Sequence, residues 1–136
     1  MPKTTLVALD IGEKRIGVAV GDSEVSIAIP LDTIKVDGNE LKVIANIVIE
    51  QEANTIIVGY PRNQSGEPTK QTEFVENFAK QLTNIVDNIV FQDESLTSVL
   101  AEEQLTASER PYSKADIDAQ AAAIILQDYL EAHYGN

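Results

Sequence analysis

Two short apolar runs near the start of the chain constrain the fold more than any other feature. They cover residues 6–9 and 16–20, and the polar segment 10–15 between them contains Gly12. Short runs that are rich in β-branched residues and bounded by glycine are typical of strands. Because Gly12 allows the chain to reverse direction and the charged residues after it suit a solvated loop, the pattern predicts an antiparallel hairpin.

Asp10 ends the first of these predicted strands. A carboxylate in this position is costly to bury unless it is paired or bound to a cation. It is therefore either a polar turn residue or part of a functional site. The hairpin alone does not decide between these two interpretations.

The segment after the hairpin predicts a third strand and a helix. Residues 26–36 have the composition of a strand, but Pro30 cannot donate a ladder hydrogen bond, which indicates an edge strand or a bulge. A turn at residues 37–39 leads into a helix that ends near Glu52. The apolar residues of this helix follow helical spacing at Leu41, Ile44, Ala45 and Val48.

Strands and helices alternate in the second half of the chain. Residues 55–60 are nearly all apolar, as in a strand that is buried on both faces of a parallel sheet. Residues 88–92 form the fifth predicted strand. The helix between these strands begins near Thr69, and its buried stripe is expected at Phe74, Phe78, Leu82 and Ile85.

Two further helices are predicted after the fifth strand. The first covers residues 95–107. Its inward-facing residues are expected to be Leu100 and Leu105. The second covers residues 114–134, where Ser113 is a natural N-cap and Asp116 completes a capping box.

The resulting order of elements, βββαβαβαα, favours an α/β fold built on a mixed sheet. The first three strands meander and pair antiparallel, whereas the last two are joined through helical crossovers. Right-handed crossovers place helices on both faces of the sheet. Because no linker or change of composition divides the chain, we expect residues 1–136 to form a single domain.

The composition excludes several kinds of chemistry. The chain has no cysteine and one histidine, His133, so thiolate metal sites and a Ser-His-Asp triad are not expected. No apolar run reaches the roughly 18 residues of a membrane span and no signal-peptide pattern is present, so we expect a cytoplasmic protein without membrane association. The net charge of −12 disfavours broad nucleic-acid binding but is compatible with a local basic surface.

Three acidic residues stand where predicted elements begin or end: Asp10, Glu94 after the fifth strand, and Asp118 near the start of the last helix. If the first and fourth strands are adjacent and parallel, Asp10 and Glu94 share the carboxyl edge, where open sheets bind ligands. Converging carboxylates repel one another unless a cation neutralises them, and oxygen ligands alone suit Mg²⁺ or Mn²⁺. Such ions support phosphodiester hydrolysis.

Each of these acids also has a structural interpretation. Asp10 can cap the hairpin turn, and Asp93 can be the inward residue in place of Glu94. Asp118 gains about 0.3–1 kcal/mol from the helix dipole. Asp116 has the stronger capping role, which leaves Asp118 without an obvious structural one. The spacing leaves both the metal site and the structural roles open.

Basic and polar residues accompany the acids on the predicted loops. Lys14, Arg15 and Arg62 lie at the same edge of the predicted sheet, Asn63 follows directly, and Lys70 is close in sequence. Side chains of this kind position nucleic-acid phosphates. Each of them can equally be a solvated turn residue.

Four segments resemble motifs of the YqgF/RuvX-like family. The family's opening motif, D-x-G-x-K-R-I-G-V-A, is similar to residues 10–19, and its segment V-G-L-P-x-N-x-x-G is similar to residues 58–63 with Gly66. Residues 93–98 resemble D-E-R-L-T-T, and residues 117–130 resemble I-D-x-x-A-A-x-x-I-L-Q-x-Y-L. The four segments occur in the family's order and span nearly the whole chain.

The resemblance implies an RNase H-like fold, with a mixed five-stranded sheet in the order 3-2-1-4-5 and helices on both faces. It also implies that Asp10, Glu94 and Asp118 are the catalytic, metal-binding triad for Mg²⁺ or Mn²⁺. One residue departs from the family pattern. Ser95 stands where the family usually has arginine, so one hydroxyl replaces five charged donors.

The family comprises Holliday junction resolvases that are also described as pre-16S rRNA nucleases. The resemblance implies a bacterial cytoplasmic endonuclease that trims the 5′ end of the 16S rRNA precursor in ribosomal precursor particles. We expect a monomer or a weak homodimer. Branched DNA is the alternative substrate.

Two further functions are open to a chain with this hairpin. A nucleic-acid-binding module that has lost activity is favoured by Ser95 and by the small number of basic residues. Actin-like, Hsp70-like and sugar-kinase ATPases also have an Asp-x-Gly hairpin. They bind ATP between two such domains, however, and this chain has the length of one.

Overall fold

The computed structural model describes residues 3–61, 69–94 and 97–135. The strands are β1 (Thr5–Ile11), β2 (Arg15–Asp22), β3 (Ile29–Lys35), β4 (Thr55–Tyr60) and β5 (Asn88–Asp93). The helices are α1 (Glu40–Gln51), α2 (Lys70–Leu82), α3 (Thr97–Ala107) and α4 (Lys114–Tyr134). Within the described ranges, no helix is long and apolar enough to cross a membrane.

The strands form one mixed five-stranded sheet in the order β3-β2-β1-β4-β5. β2 pairs antiparallel with β1 and with β3, whereas β4 pairs parallel with β1 and with β5. The predicted hairpin and the predicted strand order are therefore confirmed. Since β1, β4 and β5 run in the same direction, their carboxyl ends meet at one edge of the sheet.

Apolar side chains cover both faces of this sheet, because successive residues of a strand point to opposite sides. On one face, Val7 and Leu9 of β1 belong to a buried cluster with residues of α1 and α2: Ile44, Val48, Val75, Phe78 and Leu82. On the other face, Leu6 and Ala8 pack in a cluster with α4 residues: Ala122, Ala123, Ile125, Leu126 and Leu130. Helices lie on both faces, as predicted.

The edge strand β3 is shorter than the sequence predicts, since it covers Ile29–Lys35 and not residues 26–36. Its register with β2 shifts between Val18 and Ala19, and Pro30 lies opposite Ala19. Pro30 therefore lies in an edge strand and beside a bulge. The sequence predicts one or the other because proline has no N–H to donate, and the structure has both.

The expectation that Leu100 faces inward is wrong, because its side chain is 43% exposed. Helix α3 packs on α4, and the amide of Gln120 donates to the side-chain oxygen of Gln104 across this contact (2.5 Å). A helix that packs on one neighbouring helix buries a narrow stripe. In α3, Ala101 is fully buried, and Leu100 lies outside the stripe.

Candidate active site

Asp10 and Glu94 lie side by side at the carboxyl edge of the sheet. Asp10 is the penultimate residue of β1, where it pairs with Gly17 of β2. Glu94 directly follows β5, and its backbone N–H donates to the carbonyl oxygen of Tyr60 at the end of β4 (3.3 Å). The parallel alignment of the three strands brings the two carboxyl groups within hydrogen-bonding reach of each other.

Glu94, and not Asp93, is the acid that turns inward at this edge. Asp93 is exposed, whereas Oε2 of Glu94 is buried and has no hydrogen-bond partner among the described residues. A buried polar atom without a partner costs about 1–3 kcal/mol and often marks the place of a water or an ion. The carboxyl group of Glu94 therefore has an open coordination position.

The space that Glu94 occupies depends on Gly59 in β4. A β-carbon built on Gly59 would overlap Oε2 of Glu94 and would lie 2.7 Å from Cδ1 of Ile125. A larger residue at position 59 would displace the end of the Glu94 side chain, the Ile125 side chain or both. The glycine of the V-G-Y segment thus allows the glutamate to fold over the end of β4.

Burial raises the pKa of both paired carboxyl groups. The pKa of Glu94 rises to about 9, first because burial disfavours its charged form and then because Asp10 and Asp93 lie close to it. The pKa of Asp10 is also raised, chiefly by burial and further by the charge of Asp118, against the opposing effect of its hydrogen bond with Glu94. Without a cation, the pair therefore holds a proton at neutral pH.

Asp118 is carried to this edge by α4, which crosses β2 at Gly17. A β-carbon on Gly17 would overlap the backbone carbonyl of Asp118 and lie 3.0 Å from the backbone nitrogen of Ala119. The neighbouring acid Asp116 completes the predicted capping box, since its Oδ2 accepts from the Ser113 N–H at 2.8 Å. Asp116 therefore serves the helix, and Asp118 remains available to the site.

An ion pair holds the carboxylate of Asp118. Nε of Arg15 donates to Oδ2 of Asp118 at 2.5 Å. The Arg15 side chain is 41% exposed and that of Asp118 is 22% exposed. Ion pairs with this exposure contribute about 0–1 kcal/mol to stability, so the contact is readily exchanged for another partner.

The described residues contain no group of three histidine, cysteine, aspartate or glutamate side chains that is arranged to hold a metal ion. Asp10 and Glu94 are together, and Asp118 is close enough to raise the pKa of Asp10 but is bound to Arg15. Two adjacent buried carboxyl groups, with one oxygen that has no partner among the described residues, fit a hard divalent cation. The three-carboxylate site remains a prediction, since Oδ2 of Asp118 is paired with Arg15 in this structure.

The predicted substrate contacts are only partly within the described ranges. Lys14 is exposed in the turn between β1 and β2, Arg15 is at the start of β2, and Lys70 is exposed at the start of α2. The other positions singled out in the sequence lie outside the described residues: Arg62, Asn63 and Ser95. Lys35, which pairs with Arg15 across β2 and β3, was not predicted as a site residue. The register between β2 and β3, which places Lys35 opposite Arg15, is the feature that would have identified Lys35.

The chain is similar to known proteins along almost its whole length. The model of the RuvX family, described as Holliday junction resolvase, matches residues 4–132. A protein of Chloroflexus aurantiacus named "Putative pre-16S rRNA nuclease" is 42% identical over 136 residues, which cover 96% of this chain and 89% of that protein. A protein of Sulfurihydrogenibium with the same name is 36% identical over 129 residues, which cover 93% of this chain and 89% of the relative.

Solved structures show the same fold at low sequence identity. RuvC of Thermus thermophilus superimposes with a TM-score of 0.57 and 12% identity, and the match covers 97% of each chain. The Fowlpox virus resolvase in complex with Holliday junction DNA gives a TM-score of 0.57 and 12% identity, covering 95% of this chain and 98% of the resolvase. These likenesses support the RNase H-like fold that the sequence motifs imply.

Proposed function

Because the chain belongs to the RuvX family of Holliday junction resolvases, we propose that it is a divalent-metal-dependent endonuclease that trims the 5′ end of the 16S rRNA precursor. The observation that carries this proposal is the buried pair of Asp10 and Glu94, in which one carboxylate oxygen lacks a partner among the described residues. The names of the relatives favour precursor rRNA as the substrate.

Asp10 and Glu94 would hold Mg²⁺ or Mn²⁺, and Asp118 would join them when it leaves Arg15. When bound, such ions activate water and stabilise the leaving oxygen in phosphodiester hydrolysis. Glu94 would give up the proton that it holds at neutral pH, since a ligating carboxylate must be ionised.

Arg15 lies between Asp118 and the proposed path of the substrate. Its Nε is bound to Asp118, and its remaining N–H groups form no hydrogen bond with a described residue. We assign these groups, together with Lys14, Arg62 and Asn63, to contacts with the nucleic-acid backbone. If Asp118 were released, the Nε–H of Arg15 would also be free, and the guanidinium could bind a phosphate in bidentate fashion.

Resolution of branched DNA is the second candidate function, and the description of the family favours it. A module that binds nucleic acid without cleaving it is a third, since Ser95 replaces the family arginine. For all three, we place the protein in the cytoplasm as a monomer or weak homodimer, and for the first we place it on ribosomal precursor particles.

The proposal is tested by incubating the pure protein with two substrates in Mn²⁺: a transcript that spans the precursor 5′ end of 16S rRNA, and a four-way DNA junction. We expect cleavage of the transcript, with ends mapped by primer extension. Glu94→Gln should be inactive, and the matched variant of the exposed neighbour, Asp93→Asn, should remain active. Cleavage of the junction alone would favour the resolvase, and equal activity of Glu94→Gln and the wild type would refute the site.

A further inference from the structure

We propose that Lys35 forms a phosphate-binding cleft with Lys14 and Arg15, and that this basic cleft holds a backbone phosphate beside the one that is hydrolysed. The proposal rests on the nuclease function proposed above and adds a positioning residue to it. Lys35 lies outside the four sequence segments that resemble the family motifs.

The pairing of β2 with β3 brings the three cations together. Arg15, the first residue of β2, lies directly opposite Lys35, the last residue of β3. The N–H of Val36 donates to the carbonyl oxygen of Lys14 at 3.0 Å, which continues the pairing into the turn. The cluster is therefore fixed by backbone hydrogen bonds, and it gathers three of the ten basic residues of the chain.

The same three side chains line a cavity of about 350 Å³. The other residues of its wall are Thr33 and Ala115, so no acidic side chain of the described residues lines it. Lys14 and Lys35 are exposed, and neither ammonium group forms a hydrogen bond or an ion pair with any residue in the described ranges. The positive charge of the cleft is thus available to a ligand, in a chain whose net charge is −12.

The adjoining cavity has a different charge. It is larger, at about 530 Å³, and it shares Thr33 and Ala115 with the basic cleft. The Thr33 hydroxyl donates to the Ala115 carbonyl oxygen at 2.5 Å, which closes the wall between them. Two acids, Asp32 and Asp116, line this cavity and outweigh the positive charge of Arg110. A phosphate is therefore attracted to the basic cleft and not to its larger neighbour.

The position of the cleft indicates which phosphate it binds. Arg15 links it to Asp118 through their ion pair, so the cleft adjoins the acidic site. Lys35 lies on β3, and Asp10 lies two strands away on β1. The axes of these two strands are roughly 10 Å apart. Lys35 therefore contacts a phosphate other than the reacting one, and it positions the strand along the acidic site.

Binding measured without divalent cations separates this contact from catalysis. Fluorescence anisotropy with a short fluorescein-labelled single-stranded RNA, in EDTA and over a series of salt concentrations, gives the affinity and its salt dependence. We expect Lys35→Gln to weaken binding roughly fivefold at low salt, and to reduce the slope of log K against log salt by about 0.7–1, because one phosphate contact is lost.

Lys80→Gln is the matched control, because it makes the same change of charge on an exposed residue in the last turn of α2. Helix α2 leads from the carboxyl end of β4 back to the start of β5, so Lys80 lies at the opposite edge of the sheet. The Lys80→Gln variant should bind RNA as the wild type does. With the cleavable transcript, Lys35→Gln should raise KM and leave kcat within about twofold.

The outcomes separate the cleft from the nuclease function. If the wild type binds RNA and the two lysine variants bind equally well, the cleft is refuted and the nuclease function stands. If only Lys35→Gln loses affinity and the wild type cleaves nothing, the cleft stands and the nuclease function fails. A wild type that binds no RNA in EDTA overturns the cleft, whereas the nuclease function is decided separately by cleavage of the transcript in Mn²⁺.

Discussion

Replacing Asp10 by asparagine is expected to lower the rate of phosphodiester cleavage by about 10³-fold or more while the protein remains folded. The substitution keeps the shape of the side chain but removes one of the two carboxylates that would hold the cation. Loss of several kcal/mol of transition-state stabilisation corresponds to this factor. The rate is measured under single-turnover conditions with saturating Mn²⁺.

The same change should not unfold the metal-free protein. Asp10 and Glu94 repel each other when ionised, and the nearby charge of Asp10 contributes to the raised pKa of Glu94. Burial, the main cause of the raised pKa of Asp10, makes its charged form costly, and a neutral amide removes this cost. Thermal melting of Asp10→Asn should therefore be at or above that of the wild type. A folded Asp10→Asn protein that cleaves at the wild-type rate would exclude Asp10 from catalysis.

Gly17→Ala is expected to lower the free energy of unfolding by about 3 kcal/mol, which is the upper end of the usual loss when a group is added to a well-packed core. The added methyl group would overlap the backbone of α4 at Asp118, and backbone cannot turn away as a side chain can. Helix α4 must therefore move away from β2 and carry Asp118 with it. The melting temperature should decrease by roughly 10 °C, and cleavage should decrease as well.

Gly21→Ala provides the matched control for this prediction. Gly21 lies on the same strand and also faces α4. A β-carbon there would lie 3.0 Å from the backbone oxygen of Ile27, without the overlap seen at Gly17, and next to the methyl ends of Leu126 and Leu130. These side chains can shift by a few tenths of an ångström. The loss of stability should therefore be clearly smaller than for Gly17→Ala. An equal or larger loss for Gly21→Ala would contradict a special role for the contact between Gly17 and α4.

The fold could be predicted from the sequence because its signals are local. The apolar runs around Gly12, the buried strand at residues 55–60 and the capping box at Ser113 each depend on residues that are close along the chain. Strand order then follows from the few topologies that short connections permit. The exposure of Leu100 could not be predicted because it depends on what α3 packs against, which helical spacing does not reveal.

The site could be predicted only as a set of candidates. The choice of Glu94 over Asp93 depends on how the chain turns after β5 and on the space left by Gly59. The ion pair of Arg15 and Asp118 joins residues 103 positions apart, so it cannot be predicted from a local sequence pattern. The place of Lys35 beside Arg15 depends on the register of β2 with β3, which a bulge shifts.

The exchange of partners at Asp118 connects the acidic site with the basic cleft. In the metal-free protein, Arg15 supplies the positive charge next to Asp118. A divalent cation at the carboxyl pair would compete for the same carboxylate and leave Arg15 to the substrate. Cation binding and phosphate binding are therefore expected to favour each other.

Calorimetric titration with Mn²⁺ tests most directly whether Asp10 and Glu94 form a metal site. The pKa of Glu94 is about 9 in the metal-free protein, so binding at neutral pH should release about one proton. Titrations in buffers with different enthalpies of ionisation measure this proton, and affinity should increase with pH up to about 9. We expect Asp93→Asn to keep Mn²⁺ binding and proton release, although losing its charge lowers the pKa of Glu94 somewhat. Glu94→Gln should lose both the affinity and the proton. Mn²⁺ binding that is absent in the wild type, or unchanged in Glu94→Gln, would contradict the metal site.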